Sequence, residues 1–341
     1  MYAAANITAE KPQAVLKKDR NPDHFIVCEK NGMMPMKPHF FTNVRGASGS
    51  YTGFQMTKRG VSGPDAQEIV ADVLGVPFDA ISVQGRKDKW ALTTQKIAVK
   101  GRYKLDRLEE LETQGIWLQQ LRGTQPGKLL LGGPEMQRMQ NFFSIMVHTD
   151  APVPPEVTTF RNVVGQQRFG DSGHEVGRMV IEGDFEQAAD RLENSLTRHK
   201  LFRVQDDHRL TSLVDALLHE DFGQQLEWEV LQWQSYLWNE VAQTTDRSEL
   251  HLWSMDPEVQ KLYAHLWSPD SVDAEIAEWY LRPREKGRPV WVDVPDHKVV
   301  EAEGGYRHEF TLPSGAYATT YLAEMYDYVD DSRPWEHKKE A

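Results

Sequence analysis

The 341-residue chain contains a single cysteine, Cys28. It therefore offers no internal disulfide and no cysteine-cluster metal site. Long apolar runs are missing too: no stretch of about 18 apolar residues occurs, so nothing reads as a membrane span. The opening MYAAANITAEKPQAVLKKDR lacks the continuous apolar core of a secretory signal. With cysteine this scarce, the expected location is a reducing cytoplasm. Basic charge is in deficit, 39 Lys and Arg against 51 Asp and Glu for a net −12, which argues against a general nucleic-acid coat protein. The twelve histidines fall in no ligand pattern, with no HExxH, no CxxC and no carboxylate triplet at metal spacing. Gly-x-Gly-x-x-Gly and Gly-x-Ser-x-Gly are absent as well. GTQPGKLL (123–130) comes nearest to a phosphate loop, yet it is one residue short between glycines and has Leu129 where a hydroxyl belongs, so it reads as a turn. Cys28, on an alternating segment, reads as a small buried hydrophobe.

What is present is unevenly distributed. Between Arg86 and Arg107 stand eight cations (Arg86, Lys87, Lys89, Lys96, Lys100, Arg102, Lys104, Arg107) against Asp88 and Asp106. Such a segment on an acidic chain is either a local polyanion site or a solvated face. GRKDKWALTTQ (85–95) poses the sharper question, because it sets one carboxylate, Asp88, among Arg86, Lys87 and Lys89.

Periodicity places that carboxylate. HFIVCEK (24–30) and YTGFQMTK (51–58) read as strands, and GPDAQEIVADVLG (63–75) as an amphipathic helix that starts near Pro64 and stops at Gly75. AISVQ (80–84) and TTQKIAVK (93–100) are strands on either side of the basic loop, so a sheet can present Asp88 from a strand-to-strand connection. The first twenty-odd residues are polar and read as a mobile start. DAPVPPE (150–156) breaks the chain, and the composition then shifts: seven of the ten tryptophans lie between Trp228 and Trp291. In LEWEVLQWQSYLWNEVA (226–242), Leu226, Val230, Trp233, Leu237 and Val241 share a helical face, whose ordinary meaning is core packing. HEFTLPSGAYATTYLAEM (308–325) reads as a strand, a turn and a further strand or helix, and the residues after it as a frayed tail.

Five segments in order carry a resemblance to the TruD family of tRNA pseudouridine synthases. GRKDKWALTTQ is similar to that family's Gly-x-Lys-Asp-x-x-Ala-x-Thr-x-Gln signature, matching at Gly85, Lys87, Asp88, Ala91, Thr93 or Thr94, and Gln95. FRNVVGQQRFG (160–170) matches a second motif at Asn162, Gly165, Gln167, Arg168, Phe169 and Gly170, while HFIVCE matches an early strand at Phe25, Val27 and Glu29. QSYLWNEV (234–241) resembles a family helix, and LPSGAYATT (312–320) a C-terminal strand. The resemblance implies an α/β (α+β) fold: a pseudouridine synthase catalytic domain on a mixed or antiparallel sheet, formed by 1–186 and 304–341, with a largely helical, Trp-rich domain inserted at 187–303. It implies isomerisation of a uridine in the D-arm of tRNA, or in another structured RNA, to pseudouridine, without cofactor or metal. No membrane partner is expected, and with no large unpaired apolar patch in the pattern a monomer is favoured, the oligomeric state being otherwise open.

Chemistry then assigns roles. The reaction breaks an N-glycosidic bond and rejoins the uracil through carbon. An ionised, immobilised carboxylate can attack covalently or stabilise a developing positive sugar, and Asp88 is the candidate. A neighbouring cation would keep it ionised, with Lys87 and Arg168 the candidates and Arg168 preferred. The target base must leave its stack, which calls for pocket hydrogen-bond groups such as Gln95 and Asn162. Phe25, Phe169, Glu29 and Lys58 complete the expected substrate-binding set, and the basic segment would hold flanking phosphates.

The chain departs from the family pattern where Val163-Val164 replaces Tyr-Phe, removing an aromatic expected to stack on the uracil. A base–aromatic stack contributes about 1–3 kcal/mol, so the loss matters unless Phe25, Phe169 or Tyr317 fills the space. His24 stands where the family has Asp, EMQRMQNFF where it has Gly-Asn, and no arginine follows the QSYLWNEV helix within a turn. Two alternatives remain: a noncatalytic RNA-binding or RNA-folding protein on the same scaffold, and a protein acting on something other than RNA.

Overall fold

The computed structural model describes residues 10–29, 51–83, 85, 87–120, 140–165, 169, 173–184, 187–188, 190–191, 220–268, 272, 281 and 287–332, with backbone only at 120 and 220–227. The segment 123–130, Arg86 and Arg168 lie outside the described residues. The chain divides into two compact units: Met1–Thr158 with Asp293–Ala318 and Leu322–Ala341, and Thr159–Val292 with Thr319–Tyr321.

The first unit is built on a ten-stranded mixed sheet. Its strands are Gln13–Leu16 (β1), Phe25–Glu29 (β2), Tyr51–Arg59 (β3), Ile81–Val83 (β4), Leu92–Lys100 (β5), Ile116–Gln120 (β6) and Gln140–His148 (β7). Three short strands follow in the second unit, Thr159–Arg161 (β8), Glu249–Leu250 (β9) and Arg288–Pro289 (β10), and Trp291–Asp293 (β11) ends at its boundary. The sheet is completed by Lys298–Ala302 (β12), Gly305–Pro313 (β13) and Asp327–Asp330 (β14). The order is β12-β13-β7-β2-β5-β3-β6, with β1 joining β7 and β14, and β4 joining β5. Two pairings are parallel, β2 with β5 and β1 with β14; the rest are antiparallel.

The elements follow from local rules. Helix α1 (Gly63–Leu74) starts where the Ser62 hydroxyl accepts the Asp65 amide at 3.2 Å, and ends at Gly75 in the left-handed region. Its buried face, Val70, Val73 and Leu74, packs with Phe54, Met56, Ile97 and Val99 of the sheet, and Leu111 of helix α2 (Leu108–Thr113) closes the cluster. β5 lies inside the sheet, so Thr93, Thr94 and Gln95 of the signature are buried. Thr94 bonds its register partner Thr57, hydroxyl to hydroxyl, at 3.0 Å.

The expected mobile start falls on residues 1–9, which lie outside the described residues; from Gln13 the chain is part of the sheet. Leu16 and Ala14 are buried, and β1 lies in register with β14, Leu16 opposite Asp330. The partner strand is 314 positions away, so local composition carries no sign of the pairing.

The second unit holds helices α3 (Gly173–Ile181), α4 (Glu220–Ala242) and α5 (Pro257–Tyr263). On α4, Val230, Trp233, Leu237 and Val241 are buried, as the periodicity requires. Trp233, Trp253 and Trp267 meet edge to face with centroids 4.8–5.5 Å apart. Trp233, Trp238 and Trp253 are core, whereas Trp291 is exposed. Helix α6 (Ala318–Ala323) lends Tyr321 to this unit, where it packs on Phe160.

Helices α3 and α4 touch backbone to backbone at Gly177, where an added Cβ would lie 2.1 Å from the Glu229 carbonyl oxygen and 2.8 Å from Trp233 Cβ. Gly177→Ala is expected to destabilise the protein by about 3 kcal/mol, because the obstacle is backbone and cannot swing aside. A thermal melt of the variant checks this; an unchanged midpoint would mean the helices separate without cost.

Candidate active site

Asp88 sits in the connection between β4 and β5, strands paired from Ile81↔Val99 to Val83↔Ile97. Three lysines with different tasks surround it. Lys17, at the end of β1, points its ammonium at the Asp88 carboxylate, Nζ to Oδ2 3.3 Å, and equally at Asp330 Oδ2, also 3.3 Å. The Lys17 and Asp330 side chains are 3% and 5% exposed, whereas Asp88 keeps 18%, so the shared cation is enclosed and the loop carboxylate remains reachable. Asp330 is itself fixed, its Oδ1 accepting from the Ser332 amide at 2.9 Å and hydroxyl at 2.6 Å. The Phe25 ring lies beneath Lys17, 4.6 Å from Nζ. An ammonium paired this closely fixes the direction of the carboxylate.

Lys58 holds the loop by its backbone. Fully buried on β3, it donates to the carbonyls of Asp88 (2.6 Å), Val61 (2.8 Å) and Lys87 (3.5 Å). Lys87 points away from Asp88: its Nζ meets Glu29 Oε1 at 2.9 Å, and Glu29 Oε2 accepts the Lys96 amide at 2.8 Å. Gln95, on the same central strand, donates to the Gly85 carbonyl at 3.4 Å, and Gly85 turns with φ +68°. Lys58, the Lys87–Glu29 pair and Gln95 thus hold the loop, and one carboxylate is left partly exposed.

Burial pushes the Lys58 ammonium down to about 8, against the opposing pull of Asp88. The sign follows. Between about pH 8 and the ordinary lysine value of 10.5 the unfolded chain binds more protons than the folded one, so this residue makes stability rise with pH there. The gap in unfolding free energy between wild type and Lys58→Met should therefore widen in favour of wild type above pH 8, by at most about 1.4 kcal/mol per unit. Urea titrations at pH 7, 8, 9 and 10 measure it; a gap independent of pH would show that Lys58 keeps its ordinary proton affinity.

The other motif residues gather in the second unit. Asn162 is buried, its amide nitrogen donating to the Pro289 carbonyl (3.1 Å) and its oxygen accepting from Arg288 (2.9 Å). Asn239, from the QSYLWNEV helix, clasps Val164 at both backbone groups: the Val164 amide reaches Oδ1 at 2.7 Å and Nδ2 reaches the Val164 carbonyl at 2.9 Å. Thr320 donates to the Val163 carbonyl at 3.3 Å. Three motifs far apart in sequence therefore meet around residues 162–164. Val164 is itself buried. Phe169 stands edge-on to His174, centroids 6.1 Å apart, and His174 stacks on Tyr236.

Of the expected partners of Asp88, Lys87 is engaged by Glu29 and Arg168 lies outside the described residues; the structure supplies Lys17. Neither Lys17 nor Asp330 belongs to a motif noticed in the sequence. Their only local signals were an ordinary VLKK stretch and an acidic run. In the basic segment, Arg107 is engaged by Asp72 (3.0 Å) and Glu110 (2.7 Å), while Lys89, Lys100, Arg102 and Lys104 are exposed. Burial holds the Cys28 thiol near 11, leaving it protonated. Among the described residues no three His, Cys, Asp or Glu side chains form a metal-binding group, and no helix is long and apolar enough to cross a membrane.

Residues 8–209 match the family described as tRNA pseudouridine synthase D (TruD). The probable tRNA pseudouridine synthase D of Nanoarchaeum equitans is 31% identical over 180 residues, 49% of this chain and 45% of the relative. The tRNA pseudouridine synthase D of an Anaeromyxobacter species is 28% identical over 199 residues, 54% and 51%. The match thus spans about half the length of these relatives. A crystal structure described as the TruD protein of Methanosarcina mazei superposes with TM-score 0.52 at 20% identity, covering 93% of this chain and 94% of its own, a likeness of fold.

Proposed function

Because the chain belongs to the TruD family of tRNA pseudouridine synthases, we propose that it isomerises a uridine of tRNA to pseudouridine, in the D-arm, with Asp88 acting on the sugar. The observation that carries this reading is the loop itself: its carboxylate is reachable and paired with an enclosed ammonium, while its backbone is tied to Lys58. Such rigidity suits a group that must attack, or stabilise, one carbon of a flipped nucleotide.

The chemistry needs no outside oxidant or reductant. The bond from uracil N1 to C1′ breaks and its electron pair leaves with the base, as Asp88 bonds to C1′ or faces the cation formed there. The base turns, its C5 bonds to C1′ and the carboxylate is restored; C5 then gives up its proton and N1 takes one up through solvent, so the product is an isomer of the substrate. In this reading Lys17 is a positioning residue that keeps the Asp88 carboxylate aimed, and Asp330 holds Lys17. Glu29, Lys87, Lys58 and Gln95 maintain the loop, and Asn162 and Phe169 shape the base-binding segment. The catalytic domain would comprise 1–186 and 304–341, with 187–303 as the insertion.

The test is pseudouridine mapping of bulk tRNA after incubation with purified protein. A new pseudouridine at one D-arm position is the expected result. Salt-sensitive tRNA binding with no modification, from a folded sample, would favour the noncatalytic RNA-binding reading, to which the small buried Val164 already points.

A further inference from the structure

Two residues beyond Asp88 in the same loop, Trp90 carries a cation on each of two sequence sides. The guanidinium of Arg20 lies 5.4 Å from its ring centroid and the ammonium of Lys89 lies 5.2 Å from it. Both cations are exposed and the indole is half-buried. Four other cations of this unit are neutralised by carboxylates: Lys17 by Asp88 and Asp330, Lys87 by Glu29, Arg59 by Asp23, and Arg107 by Asp72 and Glu110. Among the described residues, Arg20 and Lys89 form no such ion pair.

The backbone that presents Arg20 is strained. Lys17, Asp19 and Arg20 all have positive φ (50°, 56° and 54°), a conformation that side chains other than glycine adopt at a cost of order 1–3 kcal/mol each. The turn is over-determined by its contacts, with the Arg20 amide on the Lys17 carbonyl at 2.7 Å and the Asp19 amide on Asp331 Oδ2 at 3.0 Å. Its product is two cations from one short turn: Lys17 directed at the Asp88 carboxylate, and Arg20 at the indole two residues further along that loop. Among the described residues, the Arg20 side chain makes one hydrogen bond, from Nε to the Asp331 carbonyl at 3.5 Å.

We propose that Arg20, Lys89 and Trp90 form a phosphate clamp for the RNA backbone beside the nucleotide presented to Asp88. The indole pre-places two cations without neutralising them, so their charge stays available to a phosphodiester. A guanidinium and an ammonium on one anion supply both directional and point-charge contacts. The clamp rests on the reading of the protein as tRNA-modifying, and names where that substrate's backbone is held.

The test measures tRNA affinity against salt in the Asp88→Asn protein, so that binding is read without turnover. Arg20→Gln and Lys89→Gln should each reduce the slope of log affinity on log salt by about 0.7–0.9, one phosphate contact apiece. Trp90→Leu, which keeps both charges but frees them, should weaken binding about five- to tenfold, and Trp90→Phe should restore most of it. Lys298→Gln on edge strand β12 is the charge control. Equal slope changes in all three charge variants, or none in Arg20→Gln and Lys89→Gln, would overturn the clamp, as would tRNA binding indifferent to salt. If wild type modifies tRNA and the slopes do not change, the clamp alone falls. If the slopes change as expected and wild type modifies nothing, the clamp stands and the proposed reaction falls.

Discussion

Replacing Asp88 by asparagine is expected to lower pseudouridine formation at least about a thousandfold, with tRNA bound no more weakly than by wild type. The amide matches the carboxylate in size, and the hold of Lys58 on the loop uses the backbone carbonyl of residue 88, which the substitution leaves in place. Lys17 keeps Asp330 as its counter-ion. What disappears is the negative charge that would bond to, or stabilise, the sugar carbon. Initial rates of pseudouridine formation in a single tRNA, beside filter binding of the same RNA, give both quantities. A variant within tenfold of wild type would remove Asp88 from the chemistry and leave the site without its only reachable loop carboxylate.

Loss of Lys17 should harm both the fold and the reaction. Lys17→Met leaves Asp330 enclosed and Asp88 partly enclosed with no shared cation; removing one member of a buried ion pair costs about 3–5 kcal/mol. Unfolding free energy in urea at pH 7 should fall by about 3 kcal/mol. The double variant Lys17→Met with Asp330→Asn should recover much of that, because the more deeply enclosed charge is gone. Catalysis separates the two effects. Assayed well below its melting midpoint, the double variant should remain at least about a hundredfold slower than wild type, since the Asp88 carboxylate still lacks its ammonium. Restored stability together with restored rate would make Lys17 a structural residue only. Asp330→Asn by itself should cost far less activity, as Lys17 still faces Asp88.

The loop between β4 and β5 was legible because its parts are local. Alternation marks the flanking strands, Gly85 supplies the turn, and the signature residues lie within eleven positions. The face of α4 was legible for the same reason, since period and apolar content lie in one stretch. The cation for Asp88 was not. Lys87 is adjacent in sequence, but adjacent residues on an extended loop diverge, and Lys87 turns to Glu29 on β2. Lys17 reaches Asp88 only because β1 closes on β14, and a parallel pairing between the two ends of a long chain leaves no periodic trace.

The family, the mixed α and β class, the position of Asp88 on a strand-to-strand connection and the core role of the α4 stripe were thus readable before any folding was considered. Each is written in short-range pattern or in motifs read in order. The pairing of polar groups emerged with the folded chain: Lys17 between Asp88 and Asp330, Lys58 on three carbonyls, Asn239 around Val164, and Arg20 on Trp90. Ion pairing depends on distances of 3–4 Å between atoms whose separation along the chain sets no limit, and those distances exist only once the sheet has assembled.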